Sequence, residues 1–145
     1  MADTWQELFD FLDKLCDTLE ELTEIQKRKT AAVRMDDLMT VNECMKREQA
    51  IGLSLRTMDR KRAKLLSALG LEGLPVSAMA DRCPAEKRME AMEIAEDVRN
   101  CYAVYRSAAE VSRTTLEGNL HQIEKLLENA PEATGGSGSI ADIRA

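Results

Sequence analysis

The chain has 145 residues, a formal net charge of −6, and 44% hydrophobic residues of which few are aromatic. An acidic balance argues against nucleic acid as the main ligand, because phosphate binding needs a basic face. One histidine and four scattered cysteines, with no Cys-x-x-Cys pair, leave neither metal-ligand spacing nor a His-based catalytic group, so no metal, cofactor or enzymatic activity is expected.

Trp5, Leu8, Leu12, Leu15, Leu19 and Leu22 recur at steps of three and four, which draws one stripe along a helix. The spacing predicts a first helix over about 4–34, with Asp3 or Thr4 as N-cap and Glu7 completing a capping-box pattern with Thr4. Beyond Leu22 the seam passes through Gln26 and Lys29, while Ile25 and Val33 keep an apolar edge. Polar seam residues either pin the packing register or mark where the seam reaches solvent.

Met35-Asp36-Asp37 interrupts the pattern without a Gly or Pro, so a tight bend and a continuous kinked helix both fit. Either Asp suits the cap of a second helix over about 38–69, with Leu38 and Val41 opening its apolar face. Val41, Cys44, Glu48, Ile51, Leu55, Met58, Arg62, Leu65 and Leu69 hold the three-four step. Gly70 suits the left-handed cap position. Glu48 and Arg62 occupy seam positions and are expected to pair across the interface. Arg56, Arg60, Lys61, Arg62 and Lys64 form the one basic cluster, read as a solvated face or a docking patch.

The irregular stretch 70–84 carries Leu71, Leu74, Val76 and Met79, enough to pack over one bundle end. Pro84 suits the first turn of a third helix over about 85–129. Its stripe runs through Tyr102, Tyr105, Ala109, Ser112, Leu116, Asn119, Ile123 and Leu126. This helix exceeds its partners by roughly a dozen residues, about 18 Å, so one end overhangs or packs on the connection. Its last turns carry Leu116, Leu120, Ile123, Leu126 and Leu127, a stripe wider than a two-helix seam needs. These five are the candidate partner-binding residues, unless another helix or a second copy of the chain covers them. Residues 131–145 are Gly/Ser-rich and read as a flexible tail, with Ile140 and Ile143 as its only large apolar pair.

The chain opens Met-Ala-Asp-Thr, with no apolar h-region and no run of 18 apolar residues, so neither a signal peptide nor membrane insertion is expected, and the cytoplasm is the default. Together the stripes predict an all-α protein. The architecture is an elongated antiparallel three-helix bundle, or a helical hairpin with a long C-terminal helix. The helical domain spans 1–130 and the tail 131–145. Because each narrow stripe must lie against another helix, the implied function is contact rather than chemistry.

The succession of features resembles the FlgN-type flagellar export chaperones over about Leu8 to Leu127. A Leu-rich first helix is followed by Asp36-Asp37-Leu38, then a basic–Glu step at Lys46-Arg47-Glu48. Arg62, Leu65-Leu66 and the stop Leu69-Gly70 come next, and the long C-terminal helix closes the plan from Leu116 to Leu127. One departure is Ser112-Arg113-Thr114-Thr115, where the family often has an Asn-rich stretch; here Asn119 follows later. The resemblance implies a cytoplasmic chaperone that holds hook-associated (hook–filament junction) subunits through its C-terminal helix. Such a chaperone prevents premature assembly and delivers its client to the export-gate platform protein. The competing reading is a structural coiled-coil adaptor or a homodimerisation module without an export role.

Overall fold

The computed structural model describes residues 3–128, and among these the structure is all-α. Its elements are α1 (Thr4–Arg34), α2 (Leu38–Ala68), the short α3 (Met79–Arg82) and α4 (Arg88–Glu128), with 3₁₀ turns at Val76–Ala78 and Ala85–Lys87. The tail expected over 131–145, with Ile140 and Ile143, lies outside the described residues.

Asp3, not Thr4, caps α1: its carboxylate accepts from the backbone N–H of Trp5 at 3.1 Å and of Gln6 at 3.4 Å. Two donors that the first helical turn leaves without a partner are satisfied in this way. At the other end two adjacent aspartates divide the work of the turn. Asp36 takes the left-handed conformation (φ 56°), and the Asp37 N–H reaches Ala32 O at 2.9 Å while the Asp36 N–H reaches Val33 O at 3.2 Å. This is the Schellman pattern, with Asp where Gly is usual. Asp37 then caps α2, accepting from the Thr40 N–H at 3.2 Å and from its hydroxyl at 2.6 Å. The bend is therefore a full turn between two separate helices. Gly70 (φ 69°) closes α2 in the same Schellman geometry, with Leu71 N–H on Leu66 O at 2.8 Å and Leu71 buried against the core.

The packing fixes the topology. Leu8, Phe9, Phe11 and Leu12 near the start of α1 share one core with Leu65 near the end of α2 and with Ala91, Ile94 and Ala95 near the start of α4. Ala32 and Val33 near the end of α1 meet Val41 and Met45 of α2 and Leu116 of α4. So α4 runs parallel to α1, and α2 runs antiparallel to both. The connection covers the lower end, where Leu71, Met79, Ala80 and Cys83 complete the core. α4 is preceded by the 3₁₀ turn after Pro84 rather than starting at Ala85.

The spacing predicts three equally narrow stripes, but α1 differs from the others. Its buried face is broad: Cys16 and Thr23 lie on one flank, Ile25, Lys29 and Ala32 on the other. Two helices cover α1, and a shared central helix needs a wide apolar face. α2 buries only Val41, Cys44, Ile51 and Leu65 among the described residues.

The four cysteines are free thiols. Burial, with Cys101 beside it, pushes the Cys16 thiol up to about 12. It is a packing group rather than a nucleophile.

Candidate functional site

α4 is 41 residues long and its partners 31 each. Leu116 meets the last cluster shared by α1 and α2, so the later residues of α4 rise past the hairpin turn. From Leu116 to Leu127 that is about 16 Å of helix. Leu120 and Ile123 come four and seven residues after Leu116, and Leu127 eleven after it, which keeps them on the face that packs inward lower down. Leu116 and Leu120 are half-buried, whereas Ile123 (41% exposed), Leu126 (72%) and Leu127 (43%) stand open. His121 is exposed beside them.

The hairpin tip is apolar as well. Met35, Leu38 and Met39 are 75–80% exposed. Leu38 thus opens the apolar face of α2, but that face is not buried there. Leu38 does point along that face, being three residues before Val41, but α1 ends at Arg34 and no described element covers it. Sequence periodicity missed the tip because spacing assigns a face and not the neighbour that covers it.

Below the overhang, the α1–α2–α4 contact turns polar. Lys29 (3% exposed) and the largely buried Glu48 form an ion pair of 2.6 Å between α1 and α2. Of the two seam residues expected to pair across the interface, Glu48 does so, with Lys29; Arg62 is corrected, for it faces solvent beside Asp59 at 3.5 Å on its own helix. Gln26 and Lys29 are buried, so the seam does not reach solvent there. Ser112 on α4 is 1% exposed, and among the described residues neither its hydroxyl nor the Gln26 Nε2 has a hydrogen-bond partner. Unpaired buried polar atoms weaken an interface, by about 1–3 kcal/mol for each group. Tyr105, like Leu55, packs against the cluster of Leu22, Ile25, Cys44 and Ile51 near this layer, and burial raises its phenol above the usual range.

Two clefts of about 410 and 660 Å³ run along the α1–α2 seam. They are lined mainly by charged and hydroxyl side chains and contain none of the candidate residues. No group of three or more His, Cys, Asp or Glu among the described residues is placed to hold a metal. No described helix is long and apolar enough to cross a membrane.

A stripe-bearing long helix on a helical hairpin is the arrangement that the helix pattern anticipates, and comparison with known families decides its kinship. The family described as FlgN protein matches residues 1–139, nearly the whole chain. The chain belongs to the FlgN family. No curated protein and no solved structure matches it. FlgN proteins are flagellar export chaperones, so the resemblance drawn from Asp36-Asp37-Leu38, Leu69-Gly70 and the C-terminal leucines holds. The work of a FlgN protein is binding other flagellar proteins, and the surface that could do so is the natural focus.

Proposed function

We propose that this FlgN protein holds hook-associated (hook–filament junction) subunits in the cytoplasm through Leu116, Leu120, Ile123, Leu126 and Leu127. It keeps the client from assembling too early and delivers it to the export-gate platform protein. The single observation that carries this reading is that the inward face of α4 continues past the hairpin with its apolar residues open. An amphipathic segment of the client can complete the bundle there as an added helix. A segment that is disordered when free pays its ordering entropy on binding, which keeps affinity moderate and lets the client leave without nucleotide chemistry in the chaperone.

The test is capture of a purified junction subunit by wild type and by the Ile123→Asp/Leu127→Asp variant. Both side chains are more than two-fifths exposed, so helicity should stay at the wild-type level. Client binding should fall by at least tenfold, since central anchors of a helix-in-groove contact are each worth roughly 2 kcal/mol. Unchanged affinity would remove α4 from client recognition. A stable dimer at all concentrations that buries this helix would favour the homodimerisation module instead.

A further inference from the structure

The geometry points to a client site larger than the α4 stripe: the hairpin tip and the α4 overhang form one corner, shaped for an amphipathic helix that carries Lys or Arg along one edge. This inference rests on the client reading above and adds both a second wall and the chemistry of the occupant.

The second wall comes from Leu38 and Met35. Leu38 lies three residues before Val41 and seven before Met45, on the face of α2 that meets Leu116. Leu120 sits about 6 Å beyond Leu116, which brings it level with the turn, and Ile123 and Leu127 continue upward from there. Leu38 (75% exposed) therefore floors the corner from which the α4 leucines rise, and Met35 (80%) sits beside it at the turn.

The occupant is indicated by charge. Glu117, Glu124 and Glu128 succeed one another at seven and four residues, a single line along one edge of the apolar stripe. All three are exposed, and among the described residues none has an ion-pair partner. The opposite edge carries Asn119, Gln122 and Leu126, none of them charged, and Lys125 lies on the back of the helix. Asp36 and Asp37 add the same sign at the tip, against the single exposed cation Arg34. A second copy of this chain would bring its own acidic edge to the corner, so like charges would oppose self-pairing. A helix with a basic edge gains at every position where a copy loses.

The experiment titrates three proteins: wild type, Met35→Ser/Leu38→Ser, and Glu117→Gln/Glu124→Gln/Glu128→Gln. The probes are a purified hook–filament junction subunit and two synthetic peptides about 20 residues long, sharing one Leu/Ile face and edged with Lys in one, Glu in the other. The Met35/Leu38 variant should bind the subunit and the Lys-edged peptide about tenfold more weakly. The glutamine variant should lose a similar factor, and its binding should weaken less with added salt than that of wild type. The Glu-edged peptide should bind wild type at least tenfold more weakly than the Lys-edged one. Equal binding of the two peptides, or unchanged affinity in the Met35/Leu38 variant, overturns the corner even where the subunit still binds through α4. If the subunit fails to bind wild type while the Lys-edged peptide shows the full pattern, the corner's chemistry stands and the client reading falls. A dimer by light scattering that dissociates on Met35→Ser/Leu38→Ser assigns the corner to a second copy and overturns the inference.

Discussion

The two ends of the bundle are built on opposite plans. At the lower end Phe9 (0% exposed), Leu8, Phe11 and Leu12 are enclosed by α2, α4 and the connection, with the Trp5 ring centroid 6.3 Å from that of Phe9. At the upper end the core shrinks to Ala32, Val33 and Val41, with Met45 and Leu116 half-buried against it, and the apolar residues beyond, such as Met35, Leu38 and Leu126, face solvent. Small side chains bury little area, so the upper end contributes little to stability, at about 25 cal/mol per Å². The contrast separates holding the fold from holding a partner: one end is saturated with its own chain, and the other is left with unfilled contacts.

The largest effects should come from the saturated end. Phe9→Ala removes a side chain with no solvent contact and should cost about 3–5 kcal/mol in urea unfolding. Val41→Ala at the upper end deletes two carbons from a small cluster and should cost about 1.5 kcal/mol. If the two losses came out equal, the ends would not differ as argued. Client affinity should respond the other way, with Phe9→Ala leaving it unchanged under conditions where the variant is folded.

Almost as large is the buried pair between these ends. Lys29→Ala leaves the Glu48 carboxylate largely buried without its partner and should cost about 3 kcal/mol or more. The double variant Lys29→Met/Glu48→Leu should recover most of that loss, because replacing a whole buried pair by apolar groups is often neutral. Failure to recover would show that the pair contributes net stability. Ser112→Ala, which removes a buried hydroxyl without a partner among the described residues, should raise stability by up to about 1 kcal/mol.

These sites show what the sequence could and could not convey. The three-four spacing made the all-α architecture legible, since Leu8, Leu12, Leu19 and Leu22 fall on one face whatever lies opposite. The same spacing showed that the last helix is the longest. It could not show which end projects, because the register of α4 against α1 depends on how the connection from Leu69 to Lys87 folds. The exposed tip was illegible for a related reason: Leu38 has the right phase for burial and lacks only a neighbour. Lys29 and Glu48 both stood on seams, but a pattern read along one helix cannot say which residue of another it meets.

A smaller effect concerns the turn at the upper end. Asp36 holds φ 56° without a glycine's freedom, which strains an L-residue by about 1 kcal/mol. Asp36→Gly should raise stability by about 0.5–1 kcal/mol and leave the Asp37 cap in place. It also deletes one acidic group from the proposed corner. Binding of a basic-edged helix should therefore weaken slightly while the fold strengthens, and a gain in both would count against the role of charge there.

The smallest effect separates the ends by pH and salt. At the lower end the Asp3 carboxyl is held below its usual range, chiefly by the Lys87 ammonium 3.0 Å away and then by the backbone N–H groups it caps. At the upper end the Asp37 carboxyl is held low by the Thr40 hydroxyl and backbone N–H. A carboxyl with a lowered folded value contributes stability above its unfolded value, and that contribution is lost as pH falls through the folded value. Both ends should therefore weaken below about pH 4, the usual carboxyl range. The Lys87 ammonium is raised by the same pairing, so its part is present below its unfolded value and fades as pH rises through the raised one. Salt distinguishes the two carboxyls. About 1 M NaCl screens the half-buried Asp3–Lys87 pair in part and should shrink the acid sensitivity removed by Lys87→Gln. The sensitivity removed by Asp37→Asn arises from short hydrogen bonds and should persist. Equal salt responses of the two variants would mean that the Asp3 shift is capping alone, and that the lower end gains nothing from joining the start of α1 to the start of α4.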